Sequence, residues 1–227
     1  MRRDSVVVRM WSGRVGRVAA GLVAAATALS PLSGCTAAQR QGQSSSLLVI
    51  DSLEAASGAK PGEFTSTLDS DVVTVVKSVP TIFDDPGSVS LRVVMKNQNP
   101  DSPGATPSDL NSVTVTRYHV NFVRTDGRNT PGVDVPYPFD GAFTVTVPTS
   151  DAATAGFTLV RIQAKQEAPL NLLAAGGGAR AISTIAQVTF YGTDQAGREV
   201  TASGNIGVTF ADWGDPDSGS DDSESGD

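Results

Sequence analysis

Between residues 47 and 211 the hydrophobic side chains recur with a period of two rather than 3.6, which commits this stretch to β-sheet. Val89, Leu91, Val93 and Met95 alternate with Ser90, Arg92, Val94 and Lys96, and Phe143, Val145 and Val147 alternate with Thr144 and Thr146. A strand patterned this way buries one face and wets the other. Further strands are expected at 47–51, 71–77, 112–124, 157–166, 182–193 and 198–210, separated by clusters of Gly, Pro, Asp and Asn. No stretch carries the pattern of a long amphipathic helix. The expectation is an all-β fold of about eight strands, arranged as an antiparallel β-sandwich.

Eight short strands with turn residues between them resemble, in architecture, the immunoglobulin and fibronectin type III domains. Cys35 is the only cysteine, so the disulfide that joins the sheets of antibody domains has no counterpart. Residues 193–199 read as a hairpin turn, and Ser203-Gly204-Asn205 as a bulge in the last strand. Val113 and Val115 fall in one inward phase and Tyr118, Val120 and Phe122 in the other, which predicts a bulge at Thr116-Arg117. Residues 169–174 suit one short helical turn capping an open end of the core, followed by a mobile Gly176-Gly177-Gly178 link. The run of strand formers from Val72 to Val76 is expected to be central or covered; as an exposed edge it would be a place for another protein to pair.

The N-terminus carries a different signal. Arg2, Arg3, Arg9, Arg14 and Arg17 stand against Asp4 alone, and residues 18–32 are uncharged and rich in alanine. A basic start before a short apolar run is the pattern of a secretory signal, and the run is too short and too broken by Pro31 to favour a spanning helix. Met10 offers an alternative initiator, and Arg2-Arg3 fits twin-arginine export only weakly. Leu32-Ser33-Gly34-Cys35 then resembles the lipobox of bacterial lipoprotein precursors. The resemblance covers about the first 35 residues and implies cleavage between Gly34 and Cys35, with Cys35 lipidated as the new N-terminus. It also implies a membrane anchor of several acyl chains, each buried methylene contributing about 0.8 kcal/mol. Thr36, standing where an aspartate would resemble an inner-membrane retention signal, favours the outer membrane if the host is Gram-negative. Residues 35–46 are polar and without periodicity, so they read as a flexible tether in which nothing is buried.

Removing residues 1–34 takes away five arginines and one aspartate, leaving 12 basic and 23 acidic residues. Seven of those acids lie in residues 212–227, which read as a disordered acidic tail. What remains offers no basic stripe, so nucleic acid is not expected as a partner. Asp215, Asp217, Gly219 and Asp221 have a passing likeness to a calcium loop, but the glycine is displaced and the closing glutamate is missing, so a solvated tail is the reading.

Catalytic motifs are lacking: there is no Gly-x-Ser-x-Gly elbow, no His-Glu-x-x-His and no cluster of His and Cys, so no enzyme activity, cofactor or metal is expected. His119, the only histidine, is placed by the strand phase on the outer face beside Arg117 and Asn121. The most distinctive loop is 124–141, where three prolines fix the backbone and three glycines permit tight turns. Arg124, Arg128, Asn129, Asp134, Tyr137 and Phe139 form its candidate binding patch, for example with a sugar stacked on Tyr137; alternatively Tyr137 and Phe139 lid the core. The expected function is that of a noncatalytic, lipid-anchored envelope protein for adhesion, envelope assembly or protein interaction. A carbohydrate- or peptidoglycan-binding module is the alternative and a hydrolase the third reading.

Overall fold

The computed structural model describes residues 43–96, 107–174 and 180–214. The signal segment, Cys35 with the tether up to residue 42, the Gly176 to Gly178 link and the acidic tail from 215 onward lie outside the described residues. What is described is mostly β: β1 (Ser46–Ala55), β2 (Thr67–Asp71), β3 (Thr74–Val76), β4 (Val79–Thr81), β5 (Asp85–Met95), β6 (Val113–Val123), β7 (Phe139–Val147), β8 (Ala153–Val160), β9 (Ala181–Asp194) and β10 (Glu199–Ala211). One short helix, α1 (Ile162–Gln166), and two 3-10 turns, Asp109–Asn111 and Leu170–Leu172, complete it. The strands form a three-stranded sheet in the order β1-β5-β8, a five-stranded sheet in the order β2-β10-β9-β6-β7, and the separate hairpin β3-β4. Pairing is antiparallel except between β2 and β10, which run parallel with Thr67 opposite Gly207 and Asp71 opposite Ala211.

The alternation does what period two requires. Leu48, Val89, Leu91, Val93, Phe157 and Leu159 from the smaller sheet join Val115, Val120, Phe122, Val188, Phe190, Val208 and Phe210 from the larger in one hydrophobic cluster. Each such side chain contributes roughly 1.5–3 kcal/mol when fully buried. Tyr118 stands at one end of the cluster, edge-on to Phe139, Phe143 and Phe157. Its hydroxyl donates to the Thr158 carbonyl at 3.1 Å, so the ring is buried without orphaning its oxygen.

The expected bulge in β6 is present: register with both β7 and β9 shifts between Val115 and Arg117. It presses the β6 backbone onto Gly192 of β9, where a Cβ would come within 2.6 Å of the Thr114 carbonyl oxygen. The hairpin expected at 193–199 also forms, with Glu199 opposite Thr193.

Several expectations are corrected. β10 has no bulge at Ser203-Gly204-Asn205; it pairs with β9 in unbroken register from Glu199 to Ala211. Gly204 instead makes room for β1, since a Cβ there would stand 3.0 Å from Ile50 and 3.1 Å from Leu53. The 71–77 strand divides, giving ten strands among the described residues where about eight were expected. Val72 continues the parallel pairing by donating to the Ala211 carbonyl at 2.9 Å, after which Asp71 accepts from the Thr74 hydroxyl at 2.7 Å as the chain turns away. The 157–166 strand stops at Val160 and continues as α1, which carries Lys165 inward. Within the tether, Ser44 and Ser46 are buried: Ser44 donates to the Asp194 carboxylate at 2.8 Å and Ser46 to the Asn111 carbonyl at 2.8 Å. The turn after Pro169 forms as a 3-10 turn with Leu170 and Leu173 buried and Leu172 exposed.

Candidate functional site

The 124–141 loop is held by its own charges. Asp126 accepts from the Arg124 guanidinium at 2.6 Å and from the Arg128 backbone N–H and side chain, each at 3.1 Å. Those bonds, Arg124 foremost, hold the Asp126 carboxyl well below the usual carboxylate range. Asn129 accepts the Arg124 backbone N–H at 2.6 Å, and Asp134 accepts that of Thr130 at 3.2 Å. Arg124, Arg128, Asn129 and Asp134 are therefore all engaged in bonds within the loop. Tyr137 remains exposed over Gly132, whereas Phe139 is buried in the core beneath the Arg161 guanidinium, 4.0 Å from its ring centre. Of the two readings of this pair, lidding the core describes Phe139, which is not a surface contact.

Asp126 supplies a pH test with a defined sign. A carboxyl depressed by folding stabilises the fold above its ordinary value and loses that contribution as pH falls through its folded value. The urea midpoint of wild type is expected to exceed that of Asp126→Asn slightly at neutral pH, with the gap closing only in strong acid. A gap independent of pH would contradict the ion pairing.

His119 lies on the outer face of the larger sheet, as the phase of β6 predicts, with Nδ1 3.3 Å from Asp140. Arg117 donates to the same carboxylate at 2.7 Å, and these contacts, Arg117 first, lower the Asp140 carboxyl. Asp140 was not singled out in the sequence; the β6-β7 register that places it opposite His119 is the signal that finds it. On the other side His119 faces Thr189, whose hydroxyl is bonded to Ser203 at 3.0 Å. This carboxylate, imidazole and hydroxyl lie in a row along an open sheet face, with the hydroxyl already engaged. Tyr191, on the same face, is covered by the Arg117 guanidinium, 3.9 Å from its ring centre, so that ring face is not free for stacking.

Two features near β2 escaped sequence reasoning. Asp85, at the head of β5, and Lys165 are both buried and lie 2.9 Å apart. The Asp85 carboxylate also accepts from the Ser70 hydroxyl at 2.6 Å and the Gly58 N–H at 2.8 Å. Burial raises its carboxyl above the ordinary value, while Lys165 and Ser70 act in the opposite direction. This ties β2, β5, α1 and the Ser57–Lys60 turn together at one point.

That turn, β2 and the β3-β4 hairpin enclose a cleft of about 790 Å³, its apolar lining including Val75, Val76, Phe83 and Trp213. Trp213 is positioned by its backbone N–H, which donates to Asp71 at 3.1 Å. Val75, Val76 and Val79 are exposed on the hairpin, Val79 by 59%. The hairpin closes through Lys77 (φ 49°) and Ser78 (φ 64°), both in the left-handed region. That is the turn handedness a two-residue hairpin wants, but without the glycine or asparagine that adopts it readily, at about 1–2 kcal/mol per residue. The expectation that Val72 to Val76 is covered thus holds for Val72 and fails for Val75 and Val76.

Among the described residues no group of three or more His, Cys, Asp or Glu side chains is placed to hold a metal ion, and no helix is long and apolar enough to cross a membrane. The chain matches no family model, and comparisons with curated proteins and with solved structures likewise return no match.

Proposed function

We propose that this chain is a noncatalytic bacterial lipoprotein, tethered to a membrane of the cell envelope through Cys35, whose β domain serves adhesion or envelope assembly by binding another protein. The anchor rests on the basic start, the short apolar run and Leu32-Ser33-Gly34-Cys35. An immunoglobulin-like sandwich is supported by strand order: β1, β5 and β8 correspond to A, B and E, and β10, β9, β6 and β7 to G, F, C and C′. Among the described residues no strand takes the place of D, and β2 is added beside the last strand.

The observation that carries the interaction reading is the gathering of exposed Val75, Val76 and Trp213 about one cleft, with Val79 exposed on the same hairpin. Apolar patches bordered by polar residues are where soluble surfaces meet partners. The anchor is tested by intact mass spectrometry of membrane fractions from cells making wild type or Cys35→Ala. A species beginning at Cys35 and carrying diacylglyceryl and acyl mass is expected in wild type and absent from the variant. An unmodified wild-type protein would overturn the anchor.

A further inference from the structure

We propose that the cleft between β2 and the β3-β4 hairpin is a binding site for a short apolar peptide whose amino and carboxyl ends are both free. This is a second role, separate from binding a partner protein: Val79, the most exposed valine of the hairpin, is not part of the lining. At about 790 Å³ the cleft falls toward the upper end of the range of small-molecule sites, about 300–1,000 Å³. Val75, Val76, Phe83 and Trp213 give it apolar walls, so the occupant must bring hydrophobic side chains.

Charge sets the ends of the occupant. Lys60 and Lys77 stand against Asp69 and Asp71 in the lining, so no net charge is selected. Two of the four are already matched. Lys60 lies 3.6 Å from Glu63, and the two Asp71 carboxylate oxygens accept from the Trp213 backbone N–H at 3.1 Å and the Thr74 hydroxyl at 2.7 Å. Among the described residues the Asp69 carboxylate and the Lys77 ammonium have no hydrogen-bond or ion-pair partner. They belong to different walls, Asp69 to β2 and Lys77 to the turn of the hairpin. A molecule spanning the cleft therefore meets a negative acceptor on one wall and a positive donor on the other. A zwitterion satisfies both, its ammonium on Asp69 and its carboxylate on Lys77, whereas a ligand of one sign is opposed by one of them. A segment within a longer chain carries neither terminal charge. Both charged side chains are exposed, so each contact contributes little and the apolar walls supply most of the affinity.

The test titrates full-length protein calorimetrically with trivaline, triglycine, N-acetylated trivaline and trivaline amide. Saturable binding of trivaline is expected, about tenfold tighter than triglycine and weakened about tenfold by Val76→Ser, as for loss of an interface anchor. Asp69→Asn and Lys77→Gln are each expected to weaken trivaline about threefold, the scale of an exposed ion pair. The caps assign the ends: acetylation should remove the effect of Asp69→Asn and leave that of Lys77→Gln, and amidation should do the reverse. No saturable binding, equal binding of triglycine, or capped and free trivaline behaving alike would each overturn the site. A photo-cross-linking side chain placed at Val79 in cells separates this failure from that of the partner reading. Protein captured at Val79 by a chain that does not bind trivaline overturns the peptide site and leaves an interaction module; trivaline binding with the expected cap pattern and nothing captured supports the site and counts against the partner.

Discussion

Replacing Lys165 with methionine is expected to lower the unfolding free energy by about 3–5 kcal/mol, the usual cost of stranding one member of a buried ion pair. Asp85 would keep its bonds from Ser70 and Gly58 but lose the charge that compensates it, in a site with essentially no solvent exposure. The deficit has a pH signature. A carboxyl raised by burial binds its proton more readily in the folded state, so the fold is favoured below the unfolded value and loses that advantage as pH rises through the folded one. Without Lys165 the value rises further, so the deficit of the variant should be smallest in acid and grow toward neutrality. Adding Asp85→Asn should recover part of the loss, since the amide oxygen can still accept from the Gly58 N–H while the amide NH2 donates to the Ser70 hydroxyl oxygen, without a charge. Urea denaturation of wild type, the single variant and the double variant measures all three. A loss below about 1 kcal/mol would mean the pair is solvated in solution.

The second large effect is steric. Gly192→Ala places a methyl 2.6 Å from the Thr114 carbonyl oxygen and 3.0 Å from the Val115 Cα. Both are backbone atoms of a strand hydrogen-bonded on each side, so neither can swing away as a side-chain tip would. A loss of about 1–3 kcal/mol is expected, as for other overpacked sites. Gly156→Ala is the control: its nearest neighbour is 3.9 Å away, and stability should not fall. The denaturation midpoint should shift with unchanged slope for Gly192→Ala. Equal effects at the two glycines would point to backbone entropy rather than space as the cause.

Legibility of the sequence tracked the physics of each element. Strands with one wet face, such as β5, β9 and β10, announce themselves through alternation, and the change of phase in β6 disclosed its bulge. β4 is three residues with a proline at its centre, too short for a period. Residues 157–166 kept an alternating look past Val160, yet Lys165 turns inward because Asp85, 80 positions earlier, supplies its charge partner. Pairing across such a distance leaves no local trace, and the same holds for Ser44, whose burial depends on Asp194. In the 124–141 loop, residue types suitable for a ligand were legible, but that Asp126 would occupy both arginines was not. The cleft was harder still, because it depends on Val75 and Val76 failing to be covered, and the run of valines reads equally well as core.

The position of β10 bears on the order in which the molecule can be assembled. This last strand lies between β2 and β9, and the Asp71 to Trp213 bond beside it spans 142 positions. A chain emerging from a membrane with its N-terminus leading would present β2 and β9 with open edges until almost the whole sequence had followed. Contacts of such sequence separation form slowly, and open edges invite wrong partners. Under the proposed anchoring, Cys35 emerges long before β10 does. Attachment would then precede closure of the larger sheet, and the domain would mature at the membrane surface rather than arrive there finished.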